Sequence, residues 1–357
     1  MIPFNQAASV PRVARNELEL GRIIGQGSFG VVLEILAPRT SNASRTLNWE
    51  CMKKENDDDV ASFVMKAIPD DCHKDGQLSS RALRDMIKEA QFLSVLSHPN
   101  ILSLRGVSAD MDAESSKDCF LILDCLCETL DQRLNRWRVE KTIRTKCFVM
   151  KMKKSFSKGK KDSGREERLL IACDVLRALA YLHQNGIMHR DVNPRNIGFD
   201  RLNETKLFDF GSAKQLNSER EHDARNHTAQ TGTYRYMSPE NFCGRPYDEK
   251  VDIYSMGILI WELLSLEKPF GCSLNIYDYA KYVVQEGVRP DIATDSWSII
   301  TRETLELCWS QDPNKRPSAR DCEKAIRLEA TKRVDYSRRS VTSLPITNIN
   351  SLTANAA

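Results

Sequence analysis

His189-Arg190-Asp191-Val192-Asn193-Pro194-Arg195-Asn196 is the stretch on which the reading of this chain turns. Asp191 stands five residues before Asn196, and thirteen residues beyond Asn196 comes Asp209-Phe210-Gly211. A carboxylate can accept the proton of a substrate hydroxyl. An amide oxygen and a second carboxylate can share a hard cation such as magnesium. In this order and spacing the three groups suit phosphoryl transfer from a magnesium nucleotide.

Upstream residues fit the same chemistry. Residues 18–24 alternate as a strand does and run into Gly25-Gln26-Gly27-Ser28-Phe29-Gly30. Such glycines let backbone amides approach a polyphosphate. A dinucleotide loop or a plain glycine hairpin shares the pattern. A dinucleotide site, however, wants a helix after the glycines, and here a second strand follows, with Val32 two residues past the last glycine. Residues 63–68 read as a buried strand carrying one lysine, Lys66, which is costly there unless paired. Residues 83–96 have helical periodicity and place Glu89 near the apolar face, where it can partner Lys66. Lys66 and Glu89 each have a plainer reading, as an edge-strand lysine facing solvent and a solvated glutamate.

Taken together, Gly25, Gly27, Gly30, Lys66, Glu89, Asp191, Asn196, Asp209, Glu240, Asp252 and Arg316 resemble the protein kinase family over residues 18–328. The resemblance implies an α+β, two-lobed fold. Its small lobe, residues 18–126, would be a five-stranded antiparallel β sheet with one helix, and its larger lobe, residues 127–328, mostly helical. Residues 41–60 and the basic stretch 139–168 read as insertions, and residues 1–17 and 329–357 as disordered ends.

The resemblance also assigns roles. ATP and Mg²⁺ are the implied ligands and protein substrates the implied partners. Asp191 would act as base, with Asn196 and Asp209 as metal ligands. Lys66, held by Glu89, would grip the phosphates under a loop of Gly25, Gly27 and Gly30. Val32 and Val64 would cap the nucleotide base, Leu123 would be the gatekeeper, and backbone groups of Asp124 and Leu126 would pair with the adenine edge. His189, Phe210, Leu93 and Leu104 resemble the apolar column that ties kinase lobes together. The stretch 232–240 resembles the end of an activation segment, with Glu240 paired to Arg316, Asp252 bracing the catalytic loop and Thr233 framing the acceptor site. Arg190 would meet a phosphate placed on Thr228 or Thr231 by autophosphorylation or an upstream kinase.

Two positions depart from the family pattern. Asn193 stands where Ser/Thr kinases usually carry a lysine, and Arg195 is expected to supply the missing charge. Gly198 stands where a bulky aliphatic usually floors the adenine, so a gap and weaker nucleotide binding are expected. Cys308-Trp309 resembles the tyrosine-kinase-like group of Ser/Thr kinases. Ser/Thr specificity is the leading expectation, with dual or Tyr specificity and an inactive pseudokinase scaffold as alternatives.

Global features add bounds. The 357 residues carry 41% apolar and 28% charged side chains and a net charge of +3, which demand neither nucleic acid nor a membrane. The segment 139–168 is rich in Lys and Arg and could reach an acidic partner or direct nuclear import, but it lacks stacking aromatics beyond Phe148 and Phe156. The eleven cysteines are scattered, without zinc spacing, and read as reduced thiols of a cytoplasmic or nuclear protein. No signal peptide is expected at residues 1–16, and the apolar stretch 251–266 reads as a core helix because Asp252 and Glu262 interrupt it. A monomer is expected.

Overall fold

The computed structural model describes residues 10–26, 30–49, 63–69, 76–109, 111, 119–151, 164–216, 232–292 and 297–331. Strands β1 (Arg12–Val13), β2 (Leu18–Gln26), β3 (Val31–Pro38), β4 (Phe63–Ala67), β5 (Leu104–Ser108) and β6 (Phe120–Asp124) form one sheet in the order β1-β5-β6-β4-β3-β2. Helix α1 (Ser41–Thr46) follows β3, and α2 (Gly76–Val95) packs against β5 and β6. A larger, mostly helical lobe carries α3 (Leu130–Lys151), α4 (Arg165–Gln184), α5 (Pro239–Phe242), α6 (Lys250–Ser265), α7 (Ile276–Asp278), α8 (Ile299–Cys308) and α9 (Ala319–Thr331).

The small-lobe sheet departs from expectation. It has six strands rather than five, and β1 pairs parallel to β5, Arg12 opposite Val107. Residues 10–17 were expected to be disordered. They are instead held by Val13, which is buried, and by hydrogen bonds from Val107 N–H to Pro11 O and from Ala109 N–H to Val13 O. The loop expected from residue 41 begins as α1, because Thr40 Oγ1 accepts the Ala43 N–H at 3.1 Å and caps it. The basic stretch expected from residue 139 continues α3 as far as Lys151. Arg138 and Lys141 donate to the Leu266 and Ser265 carbonyls and pin that helix to the end of α6. Residues 50–60, 152–163 and 332–357 lie outside the described residues, while α9 extends through the start of the expected tail to Thr331.

Helix α6 is the axis of the large lobe. Val251 through Leu264 are all buried, so it is apolar around its whole circumference rather than along one stripe. Among the described residues, no helix is long and apolar enough to cross a membrane. The two carboxylates inside α6 are both answered. Asp252 takes hydrogen bonds from the catalytic loop, and Glu262 accepts from the Tyr236 hydroxyl and pairs with Arg138.

Five short strands, in two small sheets, frame the catalytic loop and the metal loop. β9 (Ile197–Phe199) lies between β10 (Thr205–Leu207) and β7 (Glu128–Thr129). β8 (Ile187–Met188) pairs with β11 (Lys214–Gln215). The loop 189–196 therefore leaves β8 and enters β9 with both ends fixed by strand pairing. Nearby, Arg316 is wholly buried and grips Glu240 in two hydrogen bonds of 2.6 and 3.0 Å, with its guanidinium over the Tyr254 ring. Arg316→Met leaves the Glu240 charge buried without its partner and should destabilise the fold by roughly 3–5 kcal/mol in denaturant unfolding. A loss below about 1 kcal/mol, the range of exposed pairs, would contradict this account.

Candidate active site

Local sequence explains how the loop presents its groups. Arg190 sits at φ +68° and Asp209 at φ +64°, conformations that cost energy for residues with a Cβ. Arg190 is compensated on both sides: its backbone N–H and that of His189 donate to Asp252 at 2.7 and 2.9 Å, and its guanidinium donates to Ser212 O and to the Tyr247 hydroxyl. His183 Nε2 lies 2.9 Å from the same carboxylate. Burial alone would raise the Asp252 carboxyl, but His183, His189 and the donated N–H groups hold it below the usual carboxylate range.

Asp191 is the best-positioned carboxylate of the loop. Its Oδ1 accepts from the Asn193 amide at 2.9 Å and from Thr233 N–H at 2.7 Å, and its Oδ2 accepts from the Asn196 amide at 2.8 Å. Asn193 is almost wholly buried, and its Oδ1 accepts the Arg195 N–H, capping the turn Pro194–Asn196. It therefore works as a brace for Asp191. Arg195 is exposed beside it, and its guanidinium reaches the Thr233 hydroxyl at 3.4 Å. The close approach of Thr233 depends on Gly232, at φ +106°. A Cβ there would lie 2.7 Å from Arg190 O and 3.0 Å from Asp191 Oδ1.

Across the cleft, Lys66 Nζ donates to Glu89 Oε2 at 2.6 Å and lies 3.4 Å from Asp209 Oδ1. Burial opposes the lysine charge, yet Asp209 and Glu89 outweigh it and raise the Lys66 pKa. Lys66 in turn holds the Asp209 carboxyl below its usual range. The pair expected from sequence is thus formed, and α2 is docked with Glu89 inward. His189 and Phe210 meet edge to face with ring centroids 5.0 Å apart, and both Leu93 and Leu104 belong to the core that contains Phe210.

The cation site can be judged from its donor set. Asn196 turns its amide nitrogen to the Asp191 carbonyl and Oδ2, so its Oδ1 is the atom it can offer a cation. With the Asp209 carboxylate it offers two hard oxygen ligands, which fits magnesium shared with substrate phosphates. No group of three or more His, Cys, Asp or Glu able to hold a metal occurs among the described residues.

The residues expected on the nucleotide side lie on β2, β3, β4 and β6 and on the connection after β6. Gly25 pairs with Val32 one residue before the end of β2, and a Cβ on Gly30 would lie 3.4 Å from Lys66 Cε; Gly27 lies outside the described residues. Val32 pairs with Lys66 and Val64 with Leu123 across the sheet. The N–H of Asp124 faces Ser103 O at 3.4 Å, and its carboxylate is held bidentately by Arg105. The expectation for Gly198 is corrected. A Cβ there would lie 2.6 Å from Leu126 Cδ1 and 3.3 Å from Phe208 Cε1, so the space is filled rather than empty.

Lys88 was not singled out from sequence. It lies next to Glu89 on α2, and burial together with Arg190 and Lys214 brings its pKa down to about 8. A basic residue beside the glutamate was the available signal. Thr228 and Thr231, the expected phosphate acceptors, lie outside the described residues, as does Ser218. Removing one neighbouring cation by Arg190→Gln should move the Lys88 titration upward from about 8, read by NMR of labelled lysine methylene groups. An unchanged or lower midpoint would contradict the cluster.

Comparison with known proteins agrees with this geometry. Residues 18–325 match the protein kinase domain. The chain is 41% identical over 150 residues to the serine/threonine-protein kinase STY17 of Arabidopsis thaliana, covering 42% of this chain and 25% of that one. It is 39% identical over 166 residues to the serine/threonine-protein kinase VIK of the same plant, covering 45% of this chain and 37% of that one. A dual specificity protein kinase, shkD of Dictyostelium discoideum, is 27% identical over 318 residues, 88% of this chain and 35% of its own. The chain thus spans about a quarter to a third of the length of these relatives. With the match covering most of its length, the chain belongs to the protein kinase domain family.

Proposed function

We propose that this chain is an ATP-dependent protein kinase that transfers the γ-phosphate of ATP to Ser and Thr hydroxyls of protein substrates. The observation that carries the reading is Asp191, a carboxylate aimed by three hydrogen-bond donors across the cleft from an assembled Lys66–Glu89–Asp209 group. In-line transfer needs positioning and charge neutralisation more than covalent chemistry, and both are built here.

Asp191 accepts the hydrogen bond of the acceptor hydroxyl and takes its proton as transfer proceeds. Lys66 orients the nucleotide phosphates, and Glu89 holds its ammonium in place. Asn196 and Asp209 would hold Mg²⁺, which would supply neutralisation of phosphate charge. Arg195, exposed at the acceptor side, supplies the cation that Asn193 does not.

The Ser/Thr assignment is supported by the printed names of STY17 and VIK and by the brace from Thr233 to Asp191. Arg190, Lys88 and Lys214 offer a cationic cluster suited to a phosphate on Thr228 or Thr231, which would make activity depend on phosphorylation. Eight cysteines among the described residues are free thiols, five of them buried, in keeping with a reducing cytoplasmic or nuclear compartment.

The test is transfer of labelled phosphate from ATP to peptides presenting Ser, Thr or Tyr. Asp191→Asn should lower the rate by about 10²–10⁴-fold while nucleotide still binds. Label appearing on Ser and Thr but not on Tyr supports the assignment. Equal rates for wild type and Asp191→Asn would sink the enzyme reading, and label on Tyr would move it to dual specificity.

A further inference from the structure

Helices α8 and α9 are joined by residues 309–318, and a thiol stands at each end of that connection. Cys308 is the last residue of α8, and Cys322 lies in the first turn of α9. Both are buried free thiols, and their Sγ atoms lie 3.4 Å apart. Cys308 is seated directly on α6, where a Cβ on Gly257 would lie 2.8 Å from the Cys308 Cβ. Cys173, a third buried thiol, faces α9 from α4, but its sulfur rests 4.0 Å from the Glu323 carbonyl.

The connection between the two thiols carries much of the polar framework of the large lobe. Arg316 lies within it, gripping Glu240 and donating to the Ser310 and Lys250 carbonyls. Lys250 Nζ in turn donates to Arg316 O, and Trp309 O accepts from Arg289. A disulfide needs about 2.0 Å between sulfurs, so the pair has roughly 1.4 Å to close, a movement that turning the two side chains can supply. The hydrogen bond with Cys308 and burial push the Cys322 thiol up, so it rests protonated until an oxidant reaches it.

We propose that Cys308 and Cys322 form an oxidation site, at which a small hydroperoxide converts the two thiols into a disulfide that ties α8 to α9 and locks the connection bearing Arg316. The inference is independent of the phosphoryl-transfer reading. One sulfur attacks a peroxide oxygen; the S–O bond forms as the O–O bond breaks, and the leaving hydroxide takes that thiol's proton as water. The second sulfur then attacks the sulfenic sulfur; the S–S bond forms as the S–O bond breaks, and hydroxide leaves with the second thiol proton as another water. Two electrons pass from the sulfurs to the peroxide. Burial selects the oxidant, since a hydroperoxide enters through a small opening that excludes a bulky disulfide. The cysteines are 14 residues apart, so the bond also restrains the unfolded chain.

The experiment uses the full chain. Accessible thiols are alkylated on the native protein, hydrogen peroxide is added, and the remaining thiols are tagged in denaturant with a heavier reagent. Peptides are then mapped by mass without reduction. The peptide bearing Cys308 should appear joined to the one bearing Cys322, two hydrogens lighter than the pair, while Cys173 carries the heavier tag. The thermal midpoint of the oxidised protein should rise by roughly 5 °C over the reduced protein. Cys322→Ser should abolish both the link and the rise; should serine prevent folding, Cys322→Ala takes its place. The heavier tag on both cysteines after peroxide, sulfinic acid at either, or Cys322 joined to Cys173 would overturn the proposal. So would a linked protein whose midpoint is unchanged or lower.

Discussion

One buried carboxylate governs the geometry of the catalytic cleft. Asp252 has no exposed surface, and a charge in that position is tolerated only when it is fully paired. It collects the N–H groups of His189 and Arg190 and the ring of His183. In return it holds Arg190 at positive φ, which turns the next residue, Asp191, out into the cleft. Because α6 is packed on every side, this anchor cannot drift, and the loop inherits its rigidity. The Asp252 carboxyl is held below its usual range, so its contribution is present near neutral pH and lost as the pH falls through that lowered value.

From that anchor the positioning spreads outward. Asn193, Asn196 and Thr233 fix the Asp191 carboxylate from three sides, and Thr233 reaches it only because Gly232 admits a backbone where a side chain would collide. The upper half of the cleft depends on a second interaction, the Lys66–Glu89 pair, which docks α2 against the sheet. Phe210 rests edge to face on His189 while its turn, Phe210–Ser212, packs against α2, and so joins the two halves. A reaction that depends on placing two oxygens in line is served by this kind of rigidity more than by any single strong bond.

Much of this was legible in the sequence because the chemistry is concentrated in short segments. The spacing from Asp191 to Asn196 to Asp209 is local, and each glycine, lysine or carboxylate there has few other uses at that spacing. Three things were not legible, and each for a spatial reason. β1 pairs with β5, Arg12 opposite Val107, and no short window shows a partner so far along the chain. The helix at residues 139–151 looked like a solvated basic run because its anchors, the carbonyls of Ser265 and Leu266, lie far away in sequence. Gly198 looked like a missing floor because Leu126 and Phe208 meet it only in the fold. Asn193 could be flagged as unusual, but the side to which its amide turned could not be read.

Removing the Asp252 carboxylate, as in Asp252→Ala, separates the fixing of the catalytic loop from the binding of nucleotide. Single-turnover transfer and Mg·ADP affinity should be measured on the same folded preparation. If Asp252 fixes the loop that aims Asp191, transfer falls by about 10²-fold, the scale of a misplacement of about 1 Å, while ADP affinity stays within about threefold of wild type. Transfer at the wild-type rate with a correctly folded Asp252→Ala protein would contradict it.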